Sequence, residues 1–205
     1  MTRTAVLILS CAIAACQRGE TVPASAATSD MRGRDSTATA ESAVRDSAAI
    51  PSRSVGLALD GEGLRVVLAS TGSTRLLAFG MESDAVINAV TAALGPPASR
   101  GTNADCGAGP TDFVVFADGL SIGIQHDRFV GWSVRASKTG GTHTTISGLG
   151  VGSTRAALDA DYAATVSRTT LGEEFEAGGI AGVLDGESSS ARITYMWAGA
   201  SCVAR

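Results

Sequence analysis

Leu120-Ser121-Ile122-Gly123-Ile124-Gln125 alternates apolar residues with small or polar ones along its whole length. A period of two sends every second side chain to the same face, so the stretch reads as a half-buried β-strand. Asp118-Gly119 precedes it and His126-Asp127-Arg128 follows it, and both are short turn sequences. Connections this short join antiparallel neighbours. Phe113–Phe116, Leu120–Ile124 and Phe129–Val134 are therefore expected as one antiparallel set.

Upstream, Val55-Gly56-Leu57-Ala58-Leu59 and Leu64–Leu68 flank the turn Asp60-Gly61-Glu62-Gly63 and predict a hairpin. A third short strand, Arg75–Phe79, leads into a helix with Ser83 as its N-cap and Asp84 at the positive terminus. Val86, Ile87, Val90 and Leu94 recur at helical spacing until Gly95-Pro96-Pro97 stops them. Ala98–Thr111, which holds Cys106, reads as a loop.

Downstream the chain looks like a second copy of this plan. Leu149-Gly150-Val151-Gly152-Ser153 resembles Phe79-Gly80-Met81-Glu82-Ser83 at an offset of 70. Thr154–Ala164 then matches the helix, and Val166–Phe175, Ile180–Leu184 and Arg192–Trp197 match the strands. Trp132 and Trp197 fall in the last strand of each copy. The expected fold is α+β: an antiparallel sheet with helices packed on one face, built as two tandem repeats over residues 54–140 and 141–205.

Net charge is −4, Lys138 is the sole lysine, and arginines do not cluster, so a phosphate-binding face for nucleic acid is not expected. Arg3 followed by the apolar run Ala5–Ala15 has the length of a secretory leader and is too short for a membrane span of about 20 residues. Residues 16–53 are rich in Ala, Ser and Thr and hold no aromatic residue, the composition of a tether. A flexible chain of that length reaches roughly 30–35 Å.

Export makes Cys106 and Cys202 an expected disulfide, since they are the only cysteines beyond the leader and Cys16. No C-x-x-C or H-x-x-x-H spacing is present, so neither a metal site nor a cofactor is expected. His126 belongs to a turn, and His143 lies in the exposed linker Gly140–Thr145. Glu173, Glu174 and Glu176 read as a solvated strand edge. Trp132 and Trp197 are the candidate binding residues, with core packing the alternative. No catalytic constellation is found, and the chain is not expected to be an enzyme.

Ile13-Ala14-Ala15-Cys16 looks like a bacterial lipobox, a branched apolar residue and two small ones before cysteine. That resemblance implies a lipid anchor on Cys16, and Gln17 in place of aspartate implies the outer membrane rather than the inner. A lipobox, a tether, and helices each followed by antiparallel strands together resemble the small outer-membrane assembly lipoproteins of the SmpA/OmlA type and the tandem β-lactamase-inhibitor-protein fold. The resemblance covers roughly residues 79–137 and 149–200. It implies a non-enzymatic module in the envelope that binds another protein or a peptide. A small-ligand or carbohydrate-binding lipoprotein is the alternative.

Overall fold

The computed structural model describes residues 54–136 and 143–203. The leader, Cys16, the tether and residues 137–142 of the linker lie outside the described residues.

The predicted hairpin forms as β1 (Val55–Asp60) and β2 (Gly63–Leu68), and β3 (Thr74–Ala78) adds to β2 to give an antiparallel sheet in the order β1-β2-β3. Helix α1 (Ser83–Leu94) follows and buries Val86, Ile87, Val90 and Ala93. Its N-cap is Glu82, one residue before the expected Ser83. Glu82 makes no capping bond and instead pairs with Arg128 at 2.7 Å. Gly95 ends the helix as expected, its N–H donating to the Thr91 carbonyl at 2.8 Å.

Four strands follow α1 rather than three. The expected loop contains β4 (Ser99–Asn103), which pairs with β5 (Thr111–Val115). Then come β6 (Leu120–Gln125) and β7 (Arg128–Arg135), joined through His126 and Asp127 at φ 49° and 58°. Two successive left-handed residues match the twist of a tight hairpin.

The second half repeats the order on a smaller scale. Helix α2 is only Arg155–Asp161, capped by the Thr154 side chain, which accepts from Ala157 N–H. The expected single strand at 166–175 is a hairpin, β8 (Thr165–Thr169) and β9 (Gly172–Ala177), followed by β10 (Ile180–Leu184) and β11 (Ile193–Gly199). All eight strands form one antiparallel sheet, ordered β4-β5-β6-β7-β11-β10-β9-β8. Each half is thus a four-strand meander, and the last strand of each meets the other at the centre.

The fold is sheet-dominated, which corrects the expectation of helices laid on one face of a single sheet. Helix α1 packs mainly on β1 and β2 of the small sheet and touches the large one at β7. Helix α2 buries only Leu158. One continuous core joins Leu59, Leu64 and Leu77 of the small sheet to Val86 and Val90 of α1, and to large-sheet residues such as Ile122, Trp132 and Met196. The β1–β2 turn also meets the β9–β10 turn backbone to backbone. A Cβ at Gly61 would lie 2.0 Å from the Gly178 carbonyl oxygen, so only glycine permits this approach.

Register places the two tryptophans on opposite faces. Trp132 pairs with Ala198, and Trp197 pairs with Ser133. Adjacent residues of a strand point to opposite sides. Trp132 therefore faces the core, while Trp197 shares the other face with Tyr195, their rings 5.0 Å apart.

Candidate functional site

Asp60 closes β1 and organises its surroundings with every oxygen it has. Oδ1 accepts from Glu62 N–H at 2.9 Å, Oδ2 accepts from Arg65 Nε, and its carbonyl accepts from Trp132 Nε1 at 2.9 Å. The pair with Arg65 is half-exposed and forms the polar end of a groove of about 520 Å³. The turn Thr145–Gly148 contributes Thr145, Ile146 and Ser147 to its lining. Thr145 N–H donates to the Leu149 carbonyl at 2.8 Å, and Thr145 Oγ1 accepts from Leu149 N–H at 3.1 Å. The Leu59 N–H donates to the Thr144 carbonyl at 2.9 Å, which fixes this turn against β1.

That rigid turn holds Ile146 out in solvent with 61% of its surface exposed. Tyr162, the residue that ends α2, also lines the groove, and Ser147 Oγ donates to its hydroxyl at 3.5 Å. The floor includes Leu59 and Ile180. Apolar walls with one neutralised ion pair suit an apolar side chain, with the guanidinium and carboxylate edges available to a backbone amide or carbonyl.

The residues singled out from sequence are dispersed rather than gathered here. Trp132 and Trp197 are only 1% and 4% exposed, so neither presents a ring face to a ligand. Cys106 and Cys202 lie at disulfide distance, Cα to Cα 4.9 Å, across 96 residues of sequence, which is compatible with the expected bond. His126 sits in the β6–β7 turn. His143 corrects the expectation of an exposed linker residue, because it is 7% exposed and its Nε2 lies 2.8 Å from Asp118 Oδ2. The carboxylate it meets belongs to the β5–β6 turn, so the start of the second half is anchored to the first.

The glutamates are not an edge. Their strand, β9, lies between β8 and β10. Glu174 is buried, and Glu173 Oε1 lies 3.7 Å from Arg168 Nε. Among the described residues no three His, Cys, Asp or Glu side chains converge to hold a metal ion. No helix among them is long and apolar enough to cross a membrane. Sequence reasoning missed Ile146 and Tyr162, since a lone isoleucine in a Thr/Ser/Gly stretch carries no periodic signal.

Compared with known proteins, the chain matches no family model, no curated protein and no solved structure.

Proposed function

We propose that this chain is an exported lipoprotein, anchored through Cys16 to the outer membrane, whose folded part is a tandem duplication that binds a protein partner without catalysing a reaction. The duplication is supported by matched contacts. Arg128 Nη1 donates to the Gly80 carbonyl at 3.4 Å in the first half, and Arg192 Nη1 donates to the Gly152 carbonyl at 2.7 Å in the second. Residues Glu82 and Thr154, which cap the two helices, bridge to the same two arginines. Gly152 lies two residues beyond the glycine matched to Gly80 by sequence, and Met196, rather than Trp197, takes the core position of Trp132.

The observation that carries the binding reading is Ile146. A large aliphatic side chain held in water by a hydrogen-bonded turn, beside an apolar groove, is what a partner's extended segment would cover. The occupant we favour is a protein segment that inserts an aliphatic or aromatic side chain between Ile146 and Tyr162.

A photoactivatable phenylalanine at position 146, in the full chain in its native envelope, should give one defined protein adduct. Tyr162→Ala should abolish it, and the same probe at Ser99, exposed on β4 and no part of this groove's lining, should not reproduce it. Identical adducts from both positions, or none from position 146, would remove this reading. The groove volume also fits a small ligand, and an adduct blocked by a soluble compound would favour that alternative. Mass analysis of the mature chain should find a diacylglyceryl group on Cys16 as the first residue. An unmodified Cys16 behind an intact leader would sink the anchor.

A further inference from the structure

On the face of the large sheet away from the core, β6 and β7 carry a run of small residues, Ser121, Gly123, Gly131 and Ser133, paired across the two strands. The segment Ala200–Val203 lies over this side of the sheet. Its fit depends on a missing side chain, since a Cβ at Gly131 would lie 2.1 Å from the Ala200 carbonyl oxygen. On one flank is a cleft of about 70 Å³ reaching Phe113 and Ser121, and on the other a groove of about 400 Å³ reaching Arg135 and Val183. Cys202 and Tyr195 line both, so the segment is the partition between them.

Little besides the bridge to Cys106 holds this partition. Among the described residues its backbone makes one hydrogen bond to the sheet, Ala200 N–H to the Val130 carbonyl at 2.8 Å. Gly199, at φ 72°, is where the chain leaves β11. A segment seated on a glycine floor between a cleft and a groove, and tied down by one side-chain bond and one backbone bond, has the form of a strap.

We propose that the trough beneath this strap is a site for an extended peptide of small and apolar residues, that the chain fills it with its own Ala200–Val203, and that the Cys106–Cys202 bond is the clasp. Cys106 is buried, whereas Cys202 borders both grooves and is half-buried. A dithiol reductant opens the clasp by thiol–disulfide exchange. One thiolate attacks Cys202 Sγ and Cys106 leaves as a thiolate. The second thiol then attacks the mixed disulfide, and Cys202 leaves in turn. The reductant departs as a cyclic disulfide, and its two protons end on Cys106 and Cys202. The strap then swings about Gly199 and the two grooves become one. This site lies apart from the Ile146 groove and stands independently of it.

The test uses the full chain, oxidised and reduced, with a fluorescent peptide of sequence Gly-Ala-Ser-Ser-Val-Ala-Arg as probe. The probe should bind the reduced chain, and a chain truncated after Gly199, at least tenfold more tightly than the oxidised chain. On reduction, amide exchange at Ala200–Cys202 should approach the rate of an unstructured chain, while β1 and β2, although faster through the lost global stability, should stay at least tenfold more protected than the strap. Binding that is equal in both redox states, or absent from both the reduced and the truncated chain, overturns the proposal. Ala200–Cys202 as well protected as β1 and β2 in the reduced chain also overturns it, because the bond would then be a general staple and not a clasp.

Discussion

Replacing Trp132 with alanine is expected to lower the unfolding free energy by about 3–5 kcal/mol, the range for removing a buried aromatic side chain. The indole is 1% exposed and belongs to the core shared by both sheets. Its Nε1 donates to the Asp60 carbonyl at 2.9 Å, so the substitution also strips a donor from the turn that carries the groove. Trp132→Phe keeps most of the ring volume and loses only that bond, and should cost about 1–2 kcal/mol. Urea unfolding of the three proteins measures both effects. A loss under about 1 kcal/mol for alanine would mean that the two sheets do not share a core at this residue. Because Asp60 also holds Arg65, Trp132→Ala should loosen the Ile146 groove as well as the fold.

The second large effect is the cystine. A bond between residues 96 apart closes a large loop in the unfolded chain, and loop-closure entropy puts its contribution at about 4–5 kcal/mol. The double substitution of Cys106 and Cys202 by serine should lose that amount against the oxidised chain, read from urea midpoints with matched slopes. The loss should fall almost wholly on the oxidised form, leaving the reduced wild type and the double variant alike. Equal stability of oxidised chain and double variant would show that the sulfurs are not bonded in the protein.

The elements visible in the sequence are those whose pattern is local. Leu120–Gln125 carries strict alternation, and Val86, Ile87 and Val90 carry a helical stripe, so β6 and α1 were legible residue by residue. Strand β4 was not, because Ser99-Arg100-Gly101-Thr102-Asn103 has no apolar residue and every one of its positions is exposed. It is a strand only because β5 offers it hydrogen bonds. The break between β8 and β9 hung on Gly172, which looked like one more residue of an extended run. His143 was misread for a similar reason. Its burial depends on Asp118, 25 positions away, and nothing beside the histidine announces that partner. The tryptophans drew attention as rare aromatics, yet register alone sends them to opposite faces. Of the groove, Leu59, Asp60, Gly61, Thr145 and Ile180 read from sequence as strand, turn or linker residues, and none as part of a site. A site assembled from a hairpin tip, a connecting turn and a helix end has no contiguous motif to read.

The order β4-β5-β6-β7-β11-β10-β9-β8 also governs assembly. Each meander involves only neighbours in sequence and can zip early, whereas the seam between β7 and β11 joins the most distant strands and must await the last one to emerge. Until then two hydrophobic half-sheets present unsatisfied central edges, the most association-prone state on the route. Cys202 follows β11 within three residues, so a bond to Cys106 can close only once the final strand has emerged, at the same stage as the seam.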